Sequence, residues 1–599
     1  MTMIYKMLEM KYLKLIFIFA VLPFLASAQD KMAKVHPSVW SSMKGGKADF
    51  FVILKSQADL SPALFLQTKE EKGAFVFNTL KAHAEKSQVS IQNYLNAQTV
   101  GFQSFWVFNC LYLTGDVALI QNLASREDVA QIVNNPKSQL SLPPSDNSVL
   151  ATTLNPRNAA TPTWGVLAIK ADQVWAQGYR GQNVVIGGAD TGYGWEHPAL
   201  KTKYRGWNAA TGKVDHNYSW HDAIHANNSL AGNPCGYDTN APCDDQQHGS
   251  HTMGTMTGAT DEFAIGVAPD AKWVGARNMD RGNGTLARYV ECFQWFIAPT
   301  DTANKLPDPK KAPHVINNSW YCDATEGCNA SNYSVMEAAV NACRAAGIVV
   351  VISAGNSGSG CSTVSEPPAF FAKSFAIGAT RQDDTIAGFS SRGPVTTDGS
   401  NRLKPNVSAP GVSVLSSVPL SGGAFGYASF NGTSMAGPHV AGTVALMISA
   451  NPALAGQVDT IERILELTAK KMTTLQDFCG IKANVLPNFV YGFGRIDALE
   501  AVKKGLLYKV KVTQIIENQS VVKISPNPFS NEITIYTEGV LGETLIEIFN
   551  ANGQIILSKK ENFNLKNTTT VTLSNTAAGI YFYKIRSEKA TMSGKLVKM

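Results

Sequence analysis

Short, almost wholly apolar segments alternate with helical segments between residues 164 and 503, and this alternation constrains the fold more than any other feature. The apolar segments are residues 183–187, 273–276, 314–317, 348–352 and 374–378, and the helical ones are 248–258, 285–297 and 334–346. Strands that are apolar on both faces are typical of parallel sheets covered by helices on both sides. The central region is therefore predicted to be an α/β layered domain that binds ligands beyond the C-terminal ends of its strands.

A small α+β unit precedes this region. It has a predicted strand at 50–54, a long helix at 70–95, an aromatic-rich strand at 102–113 and a second helix at 116–125. Residues 135–162 are rich in Pro, Ser, Asn and Thr, which predicts an exposed linker that proteases can cut. A compact unit before such a linker favours a removable pro-segment, and a permanent accessory domain is the alternative.

Residues 1–28 have the pattern of a secretory signal peptide. Lysines precede an apolar run at 15–25 that is too short to span a bilayer, and small residues follow at 26–28. We therefore expect an exported, soluble protein. Loss of the signal removes three lysines and one glutamate, so the formal charge falls from +6 to about +4, which favours neither nucleic acid nor an anionic membrane as a partner.

Helix periodicity stops after Gly505, and short alternating strands follow. Their predicted ranges are 521–524, 532–536, 545–549, 554–558, 568–573, 579–585 and 594–597. Asn552 and Gly553 predict a hairpin turn between two of them. An all-β sandwich is therefore predicted for residues 521–599, after a linker at 504–520.

Ser434 precedes a run of small and apolar residues, 435–446, that predicts a buried helix. At a helix N-terminus, unpaired N–H groups and the helix dipole favour a developing negative charge, as an acyl-transfer nucleophile requires. Pro438 is expected in the first helical turn, where its missing N–H is no loss. A purely structural helix cap is the alternative for Ser434.

Three further polar residues lie at strand or helix ends. Asp190 directly follows a predicted strand, although an Asp in a turn is often structural. His248 opens a predicted helix, where the cationic form is disfavoured and the neutral ring can accept a proton. Asn356 follows a strand and has a glycine on its N-terminal side, so its amide could donate to an oxyanion together with the Ser434 N–H, or it is a turn residue.

Two other histidines are predicted to be core residues, namely His251 and His439. His248 and His251 are three residues apart, which suggests zinc, but no glutamate base lies between them and no third ligand is evident.

Nine cysteines in an exported chain suggest disulfides. Cys235 with Cys243 and Cys322 with Cys328 bracket short loops where local bridges fit, although sequence does not settle the pairing. Cys292 and Cys343 lie in predicted helices as buried thiols.

The order Asp190, His248, Asn356, Ser434 matches the Asp, His, Ser order of subtilisin-type enzymes. Four segments resemble the signatures of the subtilase family of serine peptidases: DTG at 190–192, HGSH at 248–251, SAGN at 353–356 and GTSMAGPHVAG at 432–442. The resemblance extends over residues 164–502. It implies a subtilisin-like layered domain at 163–503 with a mostly parallel sheet flanked by helices, and a secreted serine endopeptidase made as a zymogen.

The resemblance also implies roles for these residues. Ser434 would attack the scissile carbonyl, His248 would transfer the proton, Asp190 would orient His248, and Asn356 would stabilise the oxyanion. Substrate would pair as an extended strand near residues 316–320 and 353–355, which makes the candidate substrate-binding residues Ser319, Trp320, Ser353, Ala354 and Gly355. Tyr321 stands where the family commonly has glycine, and it either narrows a pocket or turns outward.

Other expectations from the family concern the pro-segment and metals. Residues 29–145, with a linker to about 162, resemble an inhibitor-type propeptide, so the protein's own propeptide is an expected inhibitor. The proposed chemistry needs no cofactor. Structural calcium is an expectation, with Asp238, Asp244 and Asp245 as possible oxygen ligands, and an exposed acidic loop is the alternative.

The C-terminal region resembles the type A sorting domain of proteins exported by the type IX system of Bacteroidetes. The residues that carry this are SPNPF at 525–529, the Asn552 and Gly553 turn, GIYF at 579–582 and KLVK at 595–598. It implies passage through the outer membrane and the type IX machinery as a partner. A carbohydrate-binding sandwich is the alternative.

Two rival functions are open. A lipase or esterase needs Gly-x-Ser-x-Gly, but Ala436 stands where the second glycine should be. A catalytically silent, subtilase-fold binding protein at the cell surface would be expected to lack one of the four polar residues, and all four are present.

Overall fold

The computed structural model describes residues 32–144, 150–151, 161–226, 233–508, 521–538, 542–563, 566–587 and 591–599. The predicted signal peptide at 1–28, half of the linker predicted at 135–162 and most of the linker predicted at 504–520 lie outside the described residues. The chain divides into two compact units, Met1–Tyr508 and Lys509–Met599. No helix among the described residues is long and apolar enough to cross a membrane.

The first part of the chain forms a four-stranded antiparallel sheet with helices. Its elements are α1 (Pro37–Ser41), β1 (Lys47–Leu54), α2 (Lys69–Ser87), α3 (Val89–Ala97), β2 (Phe102–Phe105), β3 (Cys110–Asp116), α4 (Val117–Ala124) and β4 (Val129–Asn134), with strand order β2-β3-β1-β4. A short strand, β5 (Lys137–Gln139), follows. Residues 32–134 are called the N-terminal region below.

Two predictions for this region were wrong in detail. The single helix predicted at 70–95 is two helices, because buried Gln88 breaks it and donates to Phe105 O (2.9 Å) and Asn109 Oδ1 (2.8 Å). The single strand predicted at 102–113 is the β2–β3 hairpin. Its turn is stable because Gln294 Oε1 accepts the N–H groups of Trp106 (2.7 Å) and Val107 (3.1 Å).

The central region is built on a seven-stranded sheet whose described pairings are all parallel. Its main elements up to the last sheet strand are α5 (Trp164–Ala168), α6 (Ala171–Trp175), β6 (Val185–Asp190), α7 (Pro198–Lys201), β7 (Trp220–Asp222), α8 (His248–Thr257), β8 (Lys272–Arg277), β9 (Asn283–Thr285), α9 (Leu286–Ile297), β10 (Val315–Asn318), α10 (Tyr333–Ala345), β11 (Val349–Ser353), β12 (Phe375–Thr380) and β13 (Val407–Pro410). Two-residue strands lie between them at Trp207–Asn208, Lys213–Val214, Phe263–Ala264 and Met279–Asp280. The strand order is β7-β8-β6-β10-β11-β12-β13. All five predicted strands are present, and β7 and β13, which had not been predicted as strands, extend the sheet.

A hairpin and three helices complete the central region: β14 (Val414–Pro419), β15 (Phe425–Phe430), α11 (Thr433–Ala450), α12 (Val458–Thr468) and α13 (Ala498–Leu506). Alternate side chains of β11 pack into two different cores, one on each face of the sheet. Val349 and Val351 pack with α8, α11, α12 and α13, whereas Val350 and Ile352 pack with α9 and α10. This two-sided cover explains why the strands are continuous apolar runs.

The N-terminal region packs against the central region through one face of its sheet and through α2. Phe51 and Ile53 of β1 join the core that contains α9 and α10, while Phe50, Val52 and Leu54 face α3 and α4 in a separate core. Because strand side chains alternate between faces, β1 contributes to both cores.

The second unit is all β, as predicted. It contains β16 (Val521–Ser525), β17 (Glu532–Glu538), β18 (Gly542–Asn550), β19 (Ile555–Phe563), β20 (Lys566–Thr572), β21 (Gly579–Arg586) and β22 (Thr591–Lys598). These form a three-stranded sheet, β16-β17-β20, and a four-stranded sheet, β19-β18-β21-β22. Apolar residues such as Ile533, Ile546 and Leu596 form its core.

The crossing of α11 with the segment after α8 leads to a stability prediction. A Cβ on Gly442 would lie 2.5 Å from Val267 Cβ, although glycine in a helix normally costs stability relative to alanine. We expect Gly442→Ala to destabilise the full-length chain by about 1–3 kcal/mol through overpacking, seen as a lower melting temperature in calorimetry. Gly388→Ala is the control, because nothing lies within 4 Å of its added methyl group. An increase in melting temperature for Gly442→Ala would contradict this packing.

Candidate active site

Asp190 ends β6 at the carboxyl edge of the sheet. Its side chain is 1% exposed, and Oδ1 accepts hydrogen bonds from the Thr191 N–H (2.8 Å) and pairs with His248 Nδ1 at 2.7 Å. Thr252 donates to Oδ2 at 3.3 Å. The carboxylate is therefore held in one orientation against the imidazole.

His248 is the first residue of α8 and is fully buried. With Nδ1 on Asp190, its Nε2 has no hydrogen-bond partner among the described residues. The loop before it is fixed by Asp244, whose carboxylate accepts from Thr191 Oγ1 (2.9 Å) and Ser250 Oγ (2.6 Å). This carboxylate ties the start of α8 to the turn after β6.

Gly192 is required for this close approach. Its φ is +109°, and a Cβ there would lie 1.8 Å from the Cys243 carbonyl oxygen. Only glycine adopts this conformation without strain. The DTG segment and the loop closed by the Cys235–Cys243 disulfide can therefore lie in contact.

Ser434 lies in the first turn of α11 and is 3% exposed. Its hydroxyl donates to Ser319 O at 3.2 Å, and Ser319 Oγ donates back to Ser434 O at 3.0 Å. Asn318 pairs with Ala189 in the sheet, so Ser319 is level with Asp190 on the neighbouring strand. The hydrogen bonds to Ser319 therefore hold Ser434 at the end of β10, next to the end of β6 in the sheet.

The prediction that Pro438 lies in the first turn was wrong. The helix begins at Thr433, which makes Pro438 its sixth residue, and Pro438 cannot donate to the carbonyl of Ser434. The Ser319 hydroxyl donates to that carbonyl instead. The missing helix bond is thus replaced by a bond that anchors Ser434 to the sheet.

Asn356 follows β11 and contacts the start of α11. Its Oδ1 accepts from both the N–H and the hydroxyl of Thr433, each at 2.9 Å. Because the carbonyl oxygen is occupied, the amide nitrogen is the end that remains for a ligand. The neighbouring Gly355 N–H donates to Thr433 Oγ1 at 3.3 Å, which holds this loop on the helix.

The candidate substrate-binding residues have several different environments. Trp320 is buried and stacks on Tyr289 with ring centroids 3.7 Å apart. Ser353 donates to Ser319 Oγ (3.3 Å), and Ala354 donates to Ile377 O (3.0 Å), so both are engaged inside the protein.

A strand from the predicted linker lies beside the site, and the substrate-binding residues stay a prediction. Residues 316–318 belong to β10, inside the sheet between β6 and β11, so they are not a free edge. The segment predicted as an exposed linker after residue 134 instead forms β5, which pairs antiparallel with β9. Ser138 is buried and hydrogen-bonds Tyr289 OH. The segment has no apolar periodicity, and its pairing uses backbone atoms. Residue type therefore does not predict this strand.

The chain continues from β5 past Ser434. Leu140 N donates to Gly282 O at 2.7 Å. Leu142 Cδ2 lies 3.6 Å from where a Cβ on Gly432 would be, and Asn431 Nδ2 donates to Pro144 O at 2.5 Å. Residues 137–144 thus cross the site. The channel that they occupy, bounded on one side by β9, is called the groove below.

His251 and His439 are core histidines, as predicted. His251 Nε2 lies 2.9 Å from Val414 O and 3.0 Å from Ala428 O, and its ring stacks on Phe430. Burial lowers the pKa of His251 to about 3. The described residues contain no group of three or more His, Cys, Asp or Glu side chains placed to hold a metal ion.

The three aspartates considered for calcium have protein partners. Asp244 is bound as described above, Asp245 pairs with Arg277 at 2.5 Å, and Asp238 pairs with His225 at 2.5 Å. These carboxylates do not fit a calcium ligand set, and calcium stays a prediction of the resemblance without assigned ligands.

Three disulfides are present among the described cysteines. Cys235–Cys243 and Cys322–Cys328 are the two local bridges that fitted the sequence, and Cys361–Cys479 had not been predicted. Cys292 and Cys343 are buried free thiols, as predicted, and Cys110 is a third.

Comparisons with known proteins match both units. A model described as "Subtilase family" matches residues 181–494, and one described as "Secretion system C-terminal sorting domain" matches residues 523–599. The second match indicates export through the outer membrane to the cell surface or the medium.

Among curated proteins, the chain is 34% identical to bacillopeptidase F of Bacillus subtilis (strain 168) over 505 residues, covering 80% of this chain and 33% of that protein. It is 32% identical to subtilisin DY of Bacillus licheniformis over 348 residues, covering 58% of this chain and 100% of that protein. It is 31% identical to alkaline elastase YaB of Bacillus sp. (strain YaB) over 294 residues, covering 49% of this chain and 61% of that protein. The chain thus spans a third of bacillopeptidase F and the full length of subtilisin DY.

A buried ion cluster beside the site leads to a pH prediction. Arg277 is fully buried and pairs with Asp245 and, at 3.4 Å, with Asp222. Burial raises the pKa of Asp245 to about 6, although Arg277 counteracts it. Arg277→Met should destabilise the chain by about 3–5 kcal/mol, because it leaves buried carboxylates without their cation.

The loss of stability caused by Arg277→Met should depend on pH. Because the pKa of Asp245 lies above its ordinary value, its proton stabilises the folded chain at acid pH, and this contribution is lost as pH rises through about 6. Removal of Arg277 raises this pKa further, so the drop in melting temperature should be larger at pH 8 than at pH 5. Arg381→Met, which removes an exposed cation, is the control. Equal drops at the two pH values would argue against the buried pairing.

Proposed function

The chain belongs to the subtilase family, and from this premise we propose that it is a secreted serine endopeptidase that hydrolyses peptide bonds through Asp190, His248 and Ser434. The observation that carries the proposal is the buried 2.7 Å contact between Asp190 and His248, with the Ser434 hydroxyl anchored on the adjacent strand end. His248 Nε2 has no hydrogen-bond partner in the part of the chain that the structure describes, which supports its proposed role as the base for Ser434.

The proposed reaction has two stages. The Ser434 hydroxyl exchanges its bond to Ser319 O for one to His248 Nε2, and its oxygen bonds to the scissile carbonyl carbon as His248 takes the proton. His248 then gives this proton to the amine as the C–N bond breaks. Water, activated by the same histidine, hydrolyses the acyl-enzyme and restores the Ser434 hydroxyl.

Asp190 and Asn356 support these steps electrostatically. The carboxylate of Asp190 favours the imidazolium that forms on His248 and fixes the ring so that Nε2 faces the serine. Asn356 is held by Thr433 through its carbonyl oxygen, so its Nδ2–H and the Ser434 N–H are the donors assigned to the oxyanion. These donors are fixed before substrate arrives, so stabilising the oxyanion requires little reorganisation.

The N-terminal region is assigned to a propeptide that blocks the enzyme. The segment that follows it, residues 137–144 and called the tail below, occupies the groove beside Ser434, where an extended substrate would pair with β9. The sheet of the N-terminal region packs on α9 and α10, and Lys69 and Lys72 donate to Ala312 O (2.7 Å) and Gly456 O (2.6 Å). The type IX export machinery is the proposed partner of residues 523–599.

Removing the nucleophile tests the chemistry. Ser434→Ala should abolish fluorophosphonate labelling and reduce casein hydrolysis by several orders of magnitude, because no acyl-enzyme can form. Ser449→Ala is the matched control on the same helix, where the hydroxyl donates to Gln182 Oε1 at 2.9 Å. Undiminished casein hydrolysis by Ser434→Ala would refute the proposal, and an unlabelled, inactive wild type would favour a silent binding protein.

Self-processing should cut between Ser141 and Leu142. Upstream of this bond, Ser138 pairs with β9 and Leu140 N donates to Gly282 O. Downstream of it, Leu142 lies against Gly432. The next two peptide bonds precede Pro143 and Pro144 and lack an N–H. N-terminal sequencing of the secreted protein should therefore begin at Leu142, while Ser434→Ala should keep its propeptide. A different first residue would show that the groove holds this segment in another register.

A further inference from the structure

The strand β5 is held on both of its edges, although among the described residues only one edge has a strand partner. Its pairing with β9 and the bond from Leu140 N to Gly282 O use one edge. Successive N–H groups of an extended strand point to opposite sides, so the Gln139 N–H faces away from β9. It donates to Glu326 Oε1 at 2.5 Å. A side-chain carboxylate thus occupies the place of a second strand.

Glu326 is positioned by its own loop. The loop is closed by the Cys322–Cys328 disulfide, and the Asp323 N–H donates to Glu326 Oε2 at 2.8 Å. Asp323 Oδ1 in turn accepts from the Thr325 N–H (2.7 Å) and the Glu326 N–H (3.0 Å). One carboxylate oxygen is therefore bound inside the loop, and the other is directed into the groove.

The loop is also fixed to the rest of the protein. Cys322 N donates to Pro367 O at 3.2 Å, and Asn332 Nδ2 donates to Gly327 O at 3.0 Å. Asn332 directly precedes α10, so the loop is held by a helix of the central region and not only by the N-terminal region. The arrangement should persist after the N-terminal region has left.

We propose that Glu326 is a substrate-positioning residue whose carboxylate accepts the backbone N–H of the residue that takes the place of Gln139. The proposal rests on the proposed peptidase function and concerns how the same groove holds its substrate. The peptide is clamped between β9 and this loop, upstream of the bond to be cut. Substrates with proline at this position lack the N–H and are disfavoured whatever their other side chains.

The test replaces one atom of the substrate. A peptide with the sequence of residues 136–145 is compared with its ester analogue, in which oxygen replaces the Gln139 N–H. Both are offered to processed wild type, Glu326→Ala and Glu326→Gln, with products identified by mass spectrometry. Fluorophosphonate labelling first counts active Ser434 in each variant, which tests the proposed function separately from the clamp.

In wild type the ester should lower kcat/KM about 10-fold, mainly through KM, because a hydrogen bond to a charged acceptor is lost. In Glu326→Ala, kcat/KM for the amide peptide should fall to the value for the ester. The amide-to-ester ratio of kcat/KM should therefore approach one. Glu326→Gln keeps an acceptor oxygen and should preserve most of the ratio. If Glu326→Ala labels normally and still discriminates against the ester as wild type does, the clamp is refuted.

Discussion

The parallel register of β6, β10 and β11 is the constraint on which the site depends. Ala189 pairs with Asn318, and Asn318 with Ile352, so Asp190, Ser319 and Ser353 emerge level at one edge. The strands are packed on both faces, so a slip by one residue would move every side chain into the opposite core and disrupt its packing. Helix α11 is buried from Thr433 to Ile448, so it has one place to pack. Its first turn consequently lies over that edge, where Ser319 bonds to it.

Local patterns predicted much of this arrangement, and the reasons for the omissions are physical. The apolar runs gave five strands of the sheet, but Trp220–Asp222 carries polar side chains that are buried by neighbours far along the chain. Asp244 belonged to a segment expected to be an exposed acidic loop, yet its partners Thr191 and Ser250 bury it. Cys361 and Cys479 are 118 residues apart, and only tertiary structure brings them together. The β5 pairing uses backbone atoms, so residue type does not reveal it.

The N-terminal region is attached by its sheet and by α2, and the tail at 137–144 adds a further contact in the groove. Phe51 and Ile53 share a core with α9 and α10, and Gln294 accepts two N–H groups of the β2–β3 turn. A cut after Ser141 would leave the tail tethered beside the groove. Tethering gives a high effective concentration, so a weakly binding tail can still block the site. Activity would then depend on removal of the whole N-terminal region and not on the first cut alone.

The loops that shape the groove contain little regular structure, and disulfides replace core packing there. Cys243 adjoins Asp244, Cys322 adjoins Tyr321, and Cys361 lies five residues beyond Asn356. Such bonds persist in an oxidising environment, which agrees with export. The free thiols Cys110, Cys292 and Cys343 are buried, and burial raises the pKa of each, so little thiolate forms to attack these bonds. Glu326 lies on one of the bridged loops, where a fixed carboxylate loses less entropy on binding than one on a mobile loop.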